Sequence, residues 1–117
     1  MTDFPYFNRR EFECSCGCGY DTIDAETLDV LIDLREHFGQ PCIITSAARC
    51  PCHNKAVGGA DSSQHLYGRA CDVVVKNFTP EQVFNYLEAT YPDRYGLGLY
   101  GTFVHIDTRQ QKARWGK

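Results

Sequence analysis

The chain has 117 residues, a formal net charge of −3 and an ordinary hydrophobic fraction of 43%. This length fits one domain, residues 1–117, which can bury a core without the help of disulfides. The composition argues against intrinsic disorder and a basic nucleic-acid-binding surface, and no apolar run approaches the roughly 20 residues of a membrane span.

Two segments have the apolar spacing of α-helices. The first is predicted at about Ala25–Phe38, and Gly39 is placed to end it. The second is predicted at about Pro80–Thr90, where Thr79 and Gln82 form a capping-box pattern ahead of the apolar face. We therefore expect two helices separated by a stretch long enough for strands and a loop.

Three or four short strands are expected from β-branched and alternating segments. They are Cys42–Thr45, Ala70–Val75, Leu97–Tyr100 and Phe103–Thr108. Gly101 and Thr102 between the last two suit a type II′ hairpin turn. The pattern predicts an α+β fold, a small and mostly antiparallel sheet with helices packed on one face.

A set of metal-ligating residue types falls at the ends of these strands. His65 and Asp72 flank Gly68, which lets the backbone reverse so that a loop end and a strand start face one point. Alternation in the last strand puts His105 and Asp107 on the face opposite its aliphatic residues. Catalytic zinc takes three such protein ligands and leaves one position open.

Each of these residues also has an ordinary structural interpretation. A histidine at a strand end is often a surface or hydrogen-bonded residue. Asp72 could stabilise a turn, and Asp107 could anchor Arg109 or a nearby backbone N–H. Spacing alone therefore leaves the three-ligand site as one interpretation among several.

The sequence resembles the M15 family of zinc peptidases, the group of D-Ala-D-Ala carboxypeptidases and murein endopeptidases. Residues 62–72 match the pattern S-x-x-H-x-x-G-x-A-x-D, and residues 103–107 match F-V-H-x-D. Residues 45–49 fit T-S-x-x-R. Further matches are Asn54, Val57-Gly58-Gly59 and Ala113-Arg114-Trp115.

The resemblance implies a zinc peptidase domain in which Zn²⁺ is bound by His65, Asp72 and His105. It implies the hedgehog and D-Ala-D-Ala-peptidase type of fold, with the zinc site on the sheet face away from the helices. It also implies hydrolysis of peptide bonds involving D-amino acids in peptidoglycan, as a carboxypeptidase or an endopeptidase. Many small relatives occur in phages and prophages, which suggests a role in phage lysis.

One position departs from the family pattern. Some relatives carry Glu or Asp three residues before the last histidine ligand, where this chain has Thr102. Asp107 is either the replacement general base or a carboxylate that orients His105 through a hydrogen bond. The alternative function is a catalytically weak or inactive module of the same fold that binds peptidoglycan or belongs to a virion.

Other residues are candidates for substrate binding. The guanidinium of Arg49 could hold a substrate carboxylate or stabilise a developing oxyanion, although a loop-surface role is the ordinary alternative. The predicted cleft-lining residues are Ser62, Ser63, Gln64 and Tyr100. Trp115 could add an apolar wall, although core or rim packing is common for such residues.

Seven cysteines are an unusual feature of the chain. Five of them fall in two short segments: Cys14, Cys16, Cys18, Cys50 and Cys52. The two segments could share a second, structural metal, form a disulfide, or hold partly buried thiols. The odd number argues against a complete disulfide framework. Cys42 and Cys71 lie in predicted strands and are expected to be core residues.

The beginning of the sequence has no basic stretch followed by an apolar one, so no signal peptide is visible. We expect synthesis in the cytoplasm and action on the cell wall after release or delivery. The expected partners are peptidoglycan stem peptides, without nucleic acid, and the expected state is a monomer.

Overall fold

The structure is a computed structural model that describes residues 4–14, 16, 18, 20–21, 23–49, 51–58, 65 and 68–116. For residues 51–53 it describes the backbone and not the side chains.

The two longer helices pack on one face of a sheet. Helix α1 is Ala25–Phe38, α2 is Pro51–Ala56 and α3 is Pro80–Thr90, and a short 3-10 helix at Arg9–Phe12 precedes them. The predicted bounds of α1 and α3 are confirmed. Gly39 ends α1 with φ 64°, a left-handed conformation that glycine adopts without strain. Among the described residues, no helix combines the length and apolarity needed to cross a membrane.

In the part of the chain that the structure describes, five strands form one sheet in the order β1-β2-β4-β3-β5. The strands are β1 Cys42–Ser46, β2 Ala70–Val75, β3 Gly96–Leu99, β4 Val104–Asp107 and β5 Ala113–Trp115. Neighbouring strands are antiparallel except β5, which pairs with β3 in parallel. The α+β prediction is confirmed, and the sheet is mixed through its edge strand.

The connection between β3 and β4 corrects one expectation. The hairpin is present, and the Tyr100 N–H donates to the Phe103 carbonyl at 3.1 Å. A type II′ turn needs positive φ at its first central residue, and Gly101 does not have it. The glycine therefore occupies a conformation that is open to other residues.

The two faces of the central strands differ in chemistry because side chains alternate along a strand. One face is aliphatic and packs on α1 and α3. Its buried members are Cys71, Val73, Val75, Leu97, Val104 and Ile106, which meet Val30, Leu31, Leu34, Val83, Phe84 and Leu87 from the helices. Full burial of a large apolar side chain stabilises the folded protein by about 1.5–3 kcal/mol. The opposite face of β2 and β4 carries Asp72, His105 and Asp107.

Glycines make room for bulky groups on that polar face. In β3, Gly96 lies opposite Asp107 and Gly98 lies opposite His105. A Cβ at Gly96 would overlap the Asp107 carboxylate, and one at Gly98 would overlap the indole of Trp115. The Asp107 and Trp115 side chains therefore pack directly against the backbone of β3.

Replacement of Gly98 by alanine tests this close approach. We expect Gly98→Ala to destabilise the protein by about 1–3 kcal/mol, because overpacking forces side chains or backbone to move. Urea unfolding would measure the loss, and the fluorescence of the single tryptophan would report its displacement.

Gly101→Ala is the matched control, because a Cβ there meets no atom within 4 Å and φ is not positive. It should leave both stability and fluorescence nearly unchanged. Equal stability losses in the two variants would contradict the packing argument.

Candidate active site

Two of the predicted metal ligands are direct neighbours across the sheet. Asp72 in β2 and His105 in β4 are paired in the antiparallel register. His105 Nδ1 lies 2.9 Å from Asp72 Oδ1, and His65 Nε2 lies 3.4 Å from the same oxygen. The candidate ligand atoms of the three residues all lie within 4.8 Å of one another, so one small cation can contact all three.

The orientation of His65 is fixed by a backbone carbonyl. Its Nδ1 lies 2.6 Å from the Ala47 carbonyl oxygen, a contact that requires Nδ1 to carry the proton and donate it. Nε2 then faces Asp72, and in the neutral ring it carries the lone pair that could bind a cation. The ring is 2% exposed, and the Arg49 N–H donates to the His65 carbonyl at 3.0 Å. Hydrogen bonds to both the ring and the backbone hold this ligand.

A β-bulge near the end of β1 immediately precedes Ala47, whose carbonyl holds His65. The register with β2 shifts between Ile44 and Ser46, so that Ser46 faces Asp72. Thr45 Oγ1 donates to the Asp72 carbonyl at 3.2 Å. A bulge of this kind bends a strand and often lies beside a functional site. Here it is followed directly by Ala47, the residue that orients His65.

His105 has a carboxylate on each side of its ring. Nδ1 faces Asp72, and Nε2 lies 2.8 Å from Asp107 Oδ2. Asp107 is fully buried and accepts two hydrogen bonds from the Arg109 guanidinium, at 2.7 Å from Nε and 2.8 Å from Nη2. Arg109 thus fixes Asp107, which in turn fixes the imidazole so that Nδ1 points to the ligand cluster.

Hydrogen bonds keep the two carboxylates of the cluster ionised. Burial raises the pKa of Asp72, but hydrogen bonds from His105 and His65 outweigh it and lower that pKa to about 2. Burial likewise opposes ionisation of Asp107, yet hydrogen bonds from His105 and Arg109 hold its pKa well below its usual range. Burial lowers the pKa of His105, and the two carboxylates reverse this and raise it. Both carboxylates are therefore ionised at neutral pH.

The donor set fits zinc. Two imidazole nitrogens and one carboxylate oxygen are the ligand types of hydrolytic zinc sites, which keep a fourth position open. The structure supplies them from buried and pre-oriented side chains, and Asp107 provides the outer carboxylate that such histidines commonly have. His65 Nε2 and His105 Nδ1 both face the Asp72 carboxylate, so in the neutral rings both lone pairs would point to one shared cation.

Arg49 lies beside the ligand cluster. Its Nη2 is 3.6 Å from Asp72 Oδ2, while Nε and Nη1 donate to Ser46 Oγ and Asn54 Oδ1, each at 3.3 Å. The guanidinium is therefore held at the site, and it is not a loop-surface group. Asn54 belongs to the short α2, which the sequence analysis did not predict.

Aromatic side chains from the edge of the sheet form one wall. The Trp115 ring lies 5.1 Å from the His105 ring, and its Nε1 donates to Tyr100 Oη at 2.9 Å. Arg109 lies over the indole at 5.3 Å. Tyr100 is 42% exposed, and its role in substrate binding stays a prediction.

Some predicted site residues fall outside the described part of the chain. They are Ser62, Ser63, Gln64 and Cys50, together with the side chain of Cys52. Their roles stay predictions. The sequence analysis named Arg109 only as a partner of Asp107 and did not find the Ala47 carbonyl. Spacing could have placed Arg109 on the site face, because it follows Asp107 by two residues. A backbone carbonyl leaves no sequence signal.

A family model described as Peptidase M15 matches residues 5–107. The chain belongs to the peptidase M15 family. M15 peptidases depend on zinc, which agrees with the chemistry of the donor set in this member. The matched range includes the three candidate ligands, Arg49 and Asp107. A search of curated proteins found no match.

The contact between Asp107 and His105 predicts an effect on metal affinity in this M15 peptidase. Asp107→Asn should weaken zinc binding by about 10–100-fold, since the outer carboxylate fixes the ring and its tautomer. Competition with a chromophoric chelator would measure the affinity. Asp93→Asn, at an exposed position, removes the same charge and should bind zinc like the wild type. Equal affinities in all three proteins would contradict the orienting role.

Proposed function

We propose that the protein is a zinc metallopeptidase that hydrolyses peptide bonds involving D-amino acids in peptidoglycan. The observation that carries the proposal is the buried donor set of His65, Asp72 and His105, beside the sheet face opposite α1 and α3. Family membership supports peptidase chemistry. The choice of peptidoglycan rests on the sequence motifs shared with the carboxypeptidase and endopeptidase group.

The three ligands would hold the zinc ion, with His65 offering Nε2, His105 offering Nδ1 and Asp72 offering a carboxylate oxygen. When bound, zinc supplies Lewis acidity, which lowers the pKa of water and polarises a carbonyl. The chain itself contributes orientation. Ala47 and Asp107 hold the protons of the two imidazoles on the sides away from the cluster, so that both lone pairs are available.

Arg49 is proposed to bind the substrate. Its guanidinium touches one ligand carboxylate and is steadied by Ser46 and Asn54, so its position is set before substrate arrives. A planar guanidinium suits a substrate carboxylate bidentately, and it also suits the charge that develops on a carbonyl oxygen. The Trp115 and Tyr100 wall would border the bound peptide.

For Asp107 the contacts favour the orienting role over the role of general base. Both of its oxygens already accept hydrogen bonds, and it lies on the side of the His105 ring away from Asp72. Its lowered pKa also makes it a weak base. We therefore treat Asp107 and Arg109 as positioning residues.

The protein is further proposed to act as a monomer, made in the cytoplasm and brought to the cell wall by release or by delivery, as in phage lysis. An inactive binding module or virion component of the same fold is the second candidate. The observation that favours it is Thr102, an uncharged residue where some relatives have an acid.

Digestion of purified peptidoglycan tests the proposal, with products identified by mass in the presence and absence of a chelator. Chelator-sensitive release of D-alanine would identify a carboxypeptidase, and chelator-sensitive loss of crosslinked dimers an endopeptidase. His105→Ala should abolish either activity. A zinc-loaded protein that releases nothing from walls of several bacterial types would refute the peptidase and favour the binding module.

Substitution of Arg49 separates its proposed role from metal binding. Arg49→Ala should lower kcat/KM by about 10²–10³-fold, the usual effect of losing one group that stabilises developing charge. Zinc content should stay at the wild-type value. Arg10→Ala removes an exposed arginine and should retain full activity. Loss of zinc together with activity in Arg49→Ala would assign the residue to the metal site instead.

A further inference from the structure

A second group of potential metal ligands lies near the beginning of the described chain. The thiols of Cys14, Cys16 and Cys18 offer sulfur atoms that all lie within 4.8 Å of one another. Cys14 is buried, while Cys16 and Cys18 are exposed. The three residues alternate with others in the sequence C-S-C-G-C-G. This cluster is built from residues of a single short loop.

The ends of this loop are tied together. The Cys14 N–H donates to the Tyr20 carbonyl at 2.6 Å, which closes the segment between them. Arg9 Nη1 lies 3.4 Å from the Asp21 carbonyl oxygen and 3.9 Å from Asp21 Oδ1, which adds a link at the same end. The thiols therefore project from a loop whose base is already closed, so less conformational freedom is lost when they converge on one ion.

The sulfur spacing suits a shared ion better than a disulfide. Cys14 Sγ and Cys16 Sγ lie 3.5 Å apart, whereas a disulfide bond is about 2.05 Å long. Two thiolates on a tetrahedral zinc, each at about 2.3 Å, lie about 3.8 Å apart. A small adjustment would bring the pair to that distance.

Cys42 and Cys71, the other cysteines whose side chains the structure describes, are buried members of the hydrophobic core. Burial raises the pKa of the Cys42 thiol to about 11, and it raises that of Cys71 still further. Both thiols are thus kept protonated. Cys16 and Cys18 are exposed, so the same interpretation does not apply to them.

We propose that Cys14, Cys16 and Cys18 bind a thiophilic divalent cation, Zn²⁺, as a structural site separate from the candidate active site. Thiolates are the preferred ligands of structural zinc, and such sites normally have four donors. The sequence offers Cys50 and Cys52 as further donors. The proposal rests on the three described thiols and does not depend on the peptidase activity.

An ion bound by these cysteines would also stabilise a backbone contact next to the candidate active site. The Ala48 N–H donates to the Phe12 carbonyl at 3.1 Å, which joins the segment ahead of the cysteine loop to the segment after β1. The neighbouring Ala47 carbonyl holds the ring of His65. Fixing the loop therefore stabilises the backbone that orients one ligand of the candidate active site.

Metal content and cobalt spectra test the proposal. We expect two equivalents of zinc in the wild type and one in the double variant Cys16→Ser/Cys18→Ser, whose changes are exposed. The double variant His65→Ala/His105→Ala should also bind one equivalent. Loaded with Co²⁺, it should keep the near-ultraviolet charge-transfer absorption of a thiolate ligand, and the cysteine variant should lose it.

Cys42→Ser is the matched control, because it removes a protonated core thiol that lies outside the cluster. It should bind two equivalents and keep the thiolate band. One equivalent in the wild type with no thiolate band would overturn the proposal, as would a mass that shows a disulfide among the three cysteines. Neither result bears on peptidase activity, which is measured separately on peptidoglycan.

Thiol labelling gives an independent readout in the His65→Ala/His105→Ala background, where only the cysteine site can bind metal. Zinc should slow the reaction of Cys16 and Cys18 with a disulfide reagent by at least about tenfold, since bound thiolates are shielded. Cys42 and Cys71 should react only after unfolding. Equal labelling rates with and without zinc would contradict the proposal.

Discussion

The cross-strand pair of Asp72 and His105 is the contact on which the rest of the site depends. The two residues are opposite each other in β2 and β4, so the register of the sheet sets the separation of their backbones. That register is fixed by the aliphatic side chains on the other face, because a slip of one residue would move the core into solvent. Core packing and ligand geometry are therefore two results of one strand alignment.

Three contacts from outside the Asp72–His105 pair orient the side chains of the site. The Ala47 carbonyl holds the ring of His65 from beyond β1, and Arg109 holds Asp107 against the far side of His105. Each of these two contacts leaves the other imidazole nitrogen facing Asp72. The indole of Trp115, which rests on Gly98, then covers the side of the cluster next to β5. The protein's own contacts thus orient the ligands without a bound ion.

The sequence predicted the parts that depend on local patterns. The caps and apolar faces defined α1 and α3, and alternation placed His105 with Asp107 on one face. Strand β5 was missed because three residues are too few to show a period, and its parallel pairing with β3 is a tertiary effect. Helix α2 was missed for the same reason, since six residues within a polar stretch carry little signal.

The candidate ligands differ in how they are attached to the fold. Asp72 and His105 lie on strands that have neighbours on both sides, whereas His65 lies outside the sheet. Backbone amides of interior strands exchange with solvent mainly through large-scale opening. The separation of Asp72 and His105 is therefore lost only when the sheet itself opens, whereas His65 keeps its place through hydrogen bonds to Ala47 and Arg49.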